Sequence, residues 1–282
     1  MSKEKKKTIL IISIIVCAAI FLFAVGRLVI EQLGINLTGS TYSDTIESYA
    51  PDLTVGTTSE NGVYVDEDET NATSSSNGKS NVVPAPPVDS KVDFKGLREQ
   101  NPDVYSWIYI PDTNISLPVL QSSEDDNYYL DHDVYKNYSF PGAIYSQSMN
   151  KKDYSDRVTV LYGHNMRNGS MFANLHMFGD ESFFNSHRYI YIYTPDRLLT
   201  YEVVSAHAYD DKHILNSYDF KKDDVFQKWL DLAQNPHSLY SNVRSGVKLD
   251  MNSKMLVLST CLSSGDGRFL VQGVLIKDEK TK

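Results

Sequence analysis

The chain has 282 residues, of which 41% are hydrophobic, and a formal net charge of −9 at pH 7. This length and composition allow one domain of medium size with appended segments. The acidic balance argues against a protein that binds nucleic acid, because such proteins need a basic surface to meet the phosphates.

The first segment of the chain combines basic residues with a long apolar run. Lysines dominate residues 3–7, and residues 8–25 are almost purely apolar. About 18 apolar residues lie at the lower end of what spans a bilayer as a helix. Because bulky residues continue the pattern past Arg27, we expect residues 1–33 to be a basic tip and an uncleaved signal anchor, not a cleaved signal peptide. The lysines favour a cytoplasmic N-terminus, with the remainder of the chain outside the cell.

Residues 34–91 have the composition of a disordered linker. They are rich in Ser, Thr, Asn, Asp and Glu, have no convincing helical or strand period, and end in Pro84-Ala85-Pro86-Pro87. Such a segment does not bury enough apolar surface to offset the entropy lost on ordering. We therefore predict an acidic spacer that holds a folded domain, residues 92–282, away from the membrane.

From Val92 onward, short apolar runs alternate with turn-forming residues, which indicates a mainly β domain. The clearest strand covers residues 157–162, and the clearest helix covers residues 219–235, whose apolar side chains share one face. Many short strands with a few helices predict a β-barrel or sandwich with helical insertions. Further strands are expected at 104–111, 115–120, 142–146, 188–194, 198–207, and on both sides of the loop 262–267.

Cys261 and Arg268 are the first candidates for chemistry. Cys261 ends an apolar run, and Arg268 opens the next one after the loop 262–267, so a strand–loop–strand places them side by side. A cation beside a thiol favours the thiolate, or it binds the oxyanion that forms when a thiolate attacks a carbonyl. The only other cysteine, Cys17, lies in the apolar N-terminal run, so Cys261 is unpaired in the exported part. It is either a reactive thiol or an ordinary buried one.

His164 is the second candidate, because it follows a strongly apolar strand and precedes a polar turn at residues 165–169. Strand ends that open into loops commonly display catalytic side chains. The sequence has no metal-binding pattern such as HExxH and no glycine-rich phosphate loop. We therefore expect neither a catalytic metal nor a cofactor.

Three motifs together resemble those of the sortase family, and most closely class B. They are Tyr162-Gly163-His164-Asn165-Met166, Leu258-Ser259-Thr260-Cys261 and Arg268, which follow one another in the family's order. The resemblance covers about residues 92–276. It implies a closed sortase-type β-barrel of about eight strands, with N-terminal helices and a long helix inserted before the strand that carries Cys261.

The resemblance also implies a function, that of a membrane-anchored cysteine transpeptidase on a Gram-positive surface. Cys261 is expected to attack the Thr carbonyl in the C-terminal sorting signal of a secreted protein and to form a thioester. His164 is expected to protonate the leaving amine, and Arg268 to stabilise the oxyanion. An amine of peptidoglycan, or of its lipid-linked precursor, then resolves the thioester.

The substrate groove is less sharply specified by the sequence. By resemblance, Ser259, Thr260 and Leu130 are the expected substrate-binding residues, although Leu130 is equally suited to a place in the core. Val257 stands where the family usually has Thr, and we expect it to pack inward with little effect on the chemistry. The residue that orients His164 is not identifiable from the sequence.

Two other functions stay open at this point. The first is a non-enzymatic, anchored extracellular binding domain whose thiol is incidental. A structural cysteine of that kind is inert to alkylating agents while the domain is folded, so the reactivity of the thiol discriminates the two. The second is a different cysteine peptidase that acts on peptidoglycan, for which the choice of substrate is decisive.

Overall fold

The structure is a computed structural model that describes residues 3–51 and 92–281. Its β-strands form a single sheet. Their bounds are β1 (Val104–Tyr109), β2 (Ser116–Leu120), β3 (Ile144–Tyr145), β4 (Val158–Tyr162), β5 (Tyr189–Tyr193), β6 (Arg197–Tyr209), β7 (Ser241–Val243), β8 (Met255–Cys261) and β9 (Arg268–Lys280).

The sheet closes on itself. The strand order is β5-β1-β2-β3-β4-β8-β9-β6, and an additional pairing of β5 with β6 completes a ring of these strands. The short strand β7 pairs with the far end of β6, outside this ring. The predicted closed barrel of about eight strands is therefore confirmed.

Residues 3–51 and 92–281 also form five α-helices and two 3-10 helices. The predicted long helix ahead of the Cys261 strand is present, although it begins at Asp223, after an irregular segment. The helix bounds are α1 (Lys3–Tyr49), α2 (Phe94–Gln100), α3 (Glu181–Ser186), α4 (Ile214–Ser217) and α5 (Asp223–Gln234), and the 3-10 helices are Tyr128–Leu130 and Ala173–Gly179.

Strand alternation gives the sheet two buried faces. Leu256 and Leu258 of β8 point into the main core inside the barrel. Val257, between them, points outward into a second core that α5 covers with Trp229 and Phe226. Because side chains alternate along a strand, Cys261 shares the outward face of Val257. Val257 was expected to pack inward; it is buried, but in the outer core under α5 and not inside the barrel.

The N-terminal helix extends further than the sequence suggested. Residues 34–49 were expected to begin the disordered linker, but α1 continues through Tyr49. Tyr42 and Thr45 are buried, and the Tyr42 hydroxyl donates to the Gly142 carbonyl at 2.8 Å. These residues lie near one another on one helix face, which packs on the barrel. Because residues 34–49 are mostly polar, their sequence gives little indication of this packed face.

The rest of the predicted linker, residues 52–91, lies outside the described residues. In the predicted anchor, the side chains at positions 12–27 are exposed. Across residues 3–51 and 92–281, no helix is both long enough and apolar enough to cross a membrane.

Candidate active site

Strand pairing brings the three candidate residues to one edge of the barrel. β4 runs parallel to β8, with Tyr162 opposite Ser259, so the C-terminal ends of both strands meet at this edge. β9 runs antiparallel to β8 and begins there, with Arg268 opposite Cys261. His164 follows β4 directly. The expected side-by-side placement of the thiol and the guanidinium is observed.

The Cys261 thiol is in direct contact with the Arg268 guanidinium. Arg268 Nη1 donates a hydrogen bond to Cys261 Sγ at 2.9 Å, and both residues are half-buried. A charge-assisted donor at the sulfur supports negative charge there. Because a guanidinium has five N–H donors, this contact leaves others for a substrate oxygen.

The His164 ring is held by two groups from residues 128–142. Its Nε2 lies 2.8 Å from the Leu130 carbonyl oxygen, and its ring stacks on Phe140 with centroids 5.9 Å apart. A carbonyl only accepts hydrogen bonds, so Nε2 carries the proton and Nδ1 is left for proton transfer. Within the described ranges, no hydrogen bond joins His164 to Cys261. The orienting group of His164 is thus a backbone carbonyl.

The segment that presents the Leu130 carbonyl is itself anchored. The Tyr129 hydroxyl accepts from Asn101 Nδ2 at 2.9 Å and donates to the Asp103 carboxylate at 2.7 Å. Burial raises the pKa of Tyr129, so the phenol stays protonated and keeps this donation. Gly142 has φ +58°, and a side chain there would collide with the carbonyls of Tyr129 and Leu130. Only glycine suits this position.

The expected substrate-binding residues take three different positions. Leu130 is 44% exposed beside His164, so it is a surface residue and not part of the core. Ser259 shares the outward face of Cys261 but is covered. Alternation turns the Thr260 side chain to the opposite face, where it is 1% exposed, so its part in substrate binding stays a prediction. Its hydroxyl has no hydrogen-bond partner in the described part of the chain.

Two tyrosines at the site received no role from the sequence. Burial raises the pKa of Tyr145 to about 12, an effect that the nearby Arg268 opposes. Burial likewise raises the pKa of Tyr162, whose hydroxyl is buried without a hydrogen-bond partner among the described residues. Tyr162 was visible as the first residue of the His164 motif, whereas Tyr145 lies in a stretch without any motif.

The described residues contain no group of three His, Cys, Asp or Glu side chains arranged to hold a metal ion. The side chains that meet at this edge are a thiol, an imidazole and a guanidinium. Such a set supplies a nucleophile, a proton donor and an oxyanion ligand for acyl transfer.

Comparisons with known proteins identify the family. The model of the sortase domain matches residues 108–276. Sortase B of Listeria monocytogenes is 32% identical over 193 residues, which cover 65% of this chain and 74% of that protein. The crystal structure of Clostridium perfringens sortase B is 34% identical with a TM-score of 0.59, covering 65% of this chain and 99% of that one.

A Staphylococcus aureus sortase B–substrate complex is 27% identical, with a TM-score of 0.58, and the match covers 65% of this chain and 84% of that one. The matched region contains the whole edge with Cys261, His164 and Arg268. On the strength of the domain match, these similarities and the closed barrel, the chain belongs to the sortase family, class B, whose members are cysteine transpeptidases.

Proposed function

We propose that residues 92–282 cleave the C-terminal sorting signal of secreted proteins, hold the acyl group on Cys261, and transfer it to a cell-wall amine. The observation that carries this proposal is the 2.9 Å contact between Arg268 Nη1 and Cys261 Sγ. It pairs the one thiol of residues 92–282 with a cation, and a cation beside the nucleophile supports the negative charge that a substrate carbonyl oxygen gains on attack.

In the first half-reaction, Cys261 Sγ attacks the carbonyl carbon of the Thr residue in the sorting signal. The π electrons of this carbonyl move to its oxygen. Arg268 donates hydrogen bonds to this oxyanion from N–H groups that do not contact the sulfur. When the tetrahedral intermediate collapses, the C–N bond breaks and the leaving amine needs a proton. A protonated His164 supplies it from Nδ1 while its Nε2–H stays on the Leu130 carbonyl.

In the second half-reaction, the neutral His164 accepts a proton from the incoming amine as that amine attacks the thioester. The C–S bond breaks, a new amide bond forms, and the Cys261 thiolate returns to Arg268. Sortases in general use sorting-signal proteins and cell-wall amines. For this chain, we infer that the acceptor is an amine of peptidoglycan or of its lipid-linked precursor.

Mass spectrometry of the detergent-solubilised full chain tests this proposal. The chain is incubated with a panel of sorting-signal peptides, with and without a triglycine acceptor. We expect an acyl adduct on Cys261 that the acceptor discharges, and no adduct in His164→Ala. An adduct formed only with peptidoglycan stem peptides favours a different cysteine peptidase. If no peptide forms an adduct and the thiol resists alkylation in the folded protein, the result favours a non-enzymatic binding domain.

We also propose that residues 1–33 anchor the enzyme as a single-pass segment, with the N-terminus in the cytoplasm and the catalytic domain outside, and that residues 52–91 are the spacer. Support comes from the lysines ahead of the apolar run and from the exposure of side chains 12–27, which no protein core covers. The acidic composition of residues 52–91 supports the spacer.

Membrane fractionation tests the anchor. In cells that express the full chain, we expect it to stay in the membrane pellet after an alkaline carbonate wash, with its C-terminal domain open to external protease. Replacing Ile15 and Phe21 by Asp is expected to release it, because a central Asp costs about 2.5–3.5 kcal/mol on insertion. Replacing both by Leu is the matched control. Recovery of the natural chain in the carbonate supernatant would contradict the anchor.

A further inference from the structure

Two side chains bind the backbone carbonyl of Cys261. Asn165 Nδ2 donates to this oxygen at 3.1 Å, and His176 Nε2 lies 3.0 Å from it. Because a carbonyl only accepts, His176 also donates, and its proton therefore resides on Nε2. The nucleophile is thus held through its main chain by two donors from outside its own strand.

The sheet itself leaves this carbonyl without a partner. Two residues earlier, the Ser259 carbonyl accepts from the Gly163 N–H at 3.2 Å, as the parallel pairing of β4 with β8 requires. Beyond Gly163 the chain leaves β8, and Asn165 forms a bridge to Met171 instead. Because the pairing of β4 with β8 has ended, the side chains of Asn165 and His176 supply the donors for the Cys261 carbonyl.

His176 approaches from the side of the hairpin opposite to the thiol. It stacks on Phe269, with centroids 4.8 Å apart, and Phe269 belongs to the core inside the barrel. Both line a cavity of about 620 Å³, together with Leu262. Cys261 Sγ lies on the outward face with Arg268. His176 therefore acts on the nucleophile through the peptide group.

We propose that Asn165 and His176 are positioning residues that fix the Cys261–Leu262 peptide and so aim Sγ at Arg268. The following loop restrains this peptide weakly, since it contains Gly265 and Gly267 at positive φ. Nucleophilic catalysis is sensitive to displacements of about 1 Å, so fixing the strand end preserves the reactive geometry. The expected effect on turnover rests on the proposed function.

Paired substitutions in the full chain test the proposal. His176→Phe keeps the stacking on Phe269 and removes the donor, whereas His176→Gln loses the ring and keeps an N–H donor. We expect His176→Phe and Asn165→Ala each to lower kcat by about 3- to 10-fold, the scale of one hydrogen bond, with little change in KM. His176→Gln is expected to recover most of the loss.

The matched control is His187→Phe, because His187 also stacks on a phenylalanine, Phe183, but donates from Nε2 to the Asp112 carboxylate and not to the Cys261 carbonyl. We expect it to leave kcat unchanged. Wild-type kcat in His176→Phe, or an equal loss in His176→Gln and His187→Phe, would overturn the proposal. Melting temperatures measured on every variant separate loss of fold from loss of positioning.

A second readout needs no sorting signal. The rate at which iodoacetamide alkylates Cys261 is followed by mass spectrometry in the same variants. We expect slower alkylation in His176→Phe and Asn165→Ala, because a displaced sulfur loses its contact with Arg268 and hence support for the thiolate. An unchanged rate would overturn the positioning role. If the wild-type chain cleaves no peptide, the proposed function fails, and this comparison still decides the role of the two residues.

Discussion

Replacing Cys261 by Ala is expected to abolish cleavage of a sorting-signal peptide while the barrel stays folded. Removing the nucleophile of a serine protease lowers kcat on the order of 10⁶-fold, and no other cysteine lies in residues 92–282 to replace this one. The fold should persist, because Ala fits at the end of β8 and removes only a half-buried sulfur. Cleavage is measured with a fluorogenic peptide and the fold by circular dichroism.

The chain offers a matched control for this experiment. Cys17→Ala makes the same chemical change at the other cysteine, which is exposed in α1 and far along the sequence from the site. We expect full activity in this variant. If Cys261→Ala retained the wild-type rate, the peptide cleavage would not depend on the thiol, and the acyl-transfer proposal would fail.

The feature of the site that is most readily predicted from the sequence is the pairing of Cys261 with Arg268. Cys261 and Arg268 are separated by only six residues, and a hairpin is the simplest way to join two apolar runs across a short loop. Their pairing therefore followed from neighbouring residues alone. His164 is a candidate from its own strand end, but its grouping with Cys261 depended on resemblance, because β4 and β8 are far apart in the chain and adjacent parallel strands leave no local signal.

Other features of the site lay beyond sequence reasoning for physical reasons. The group that orients His164 is the Leu130 carbonyl, and every residue has a carbonyl, so no side-chain pattern marks it. By contrast, the inward turn of Thr260 follows from strand alternation counted back from Cys261 and can be read from the sequence. The continuation of α1 to Tyr49 depends on its packing against the barrel, where tertiary contacts override a polar composition.

Replacing Arg268 by Ala is expected to lower kcat for peptide cleavage by about 10²-fold or more, the scale for loss of an oxyanion donor. The reason is twofold, since the variant loses the donor at Cys261 Sγ and the cation that meets the developing oxyanion. Arg268→Lys keeps the charge but not the planar fork of donors, so we expect it to restore only part of the rate.

Steady-state kinetics on the three enzymes measure this prediction, with the loss expected in kcat and a smaller change in KM. Arg188→Ala is the control, because Arg188 pairs with Glu202, which lies near the middle of β6, whereas Arg268 is paired with Tyr209 at the end of that strand. Its kinetics should match those of the wild type. Unchanged kinetics in Arg268→Ala would show that Arg268 takes no part in the reaction. If Arg268→Lys had the full wild-type rate, the charge alone would suffice and the role of Arg268 would be purely electrostatic.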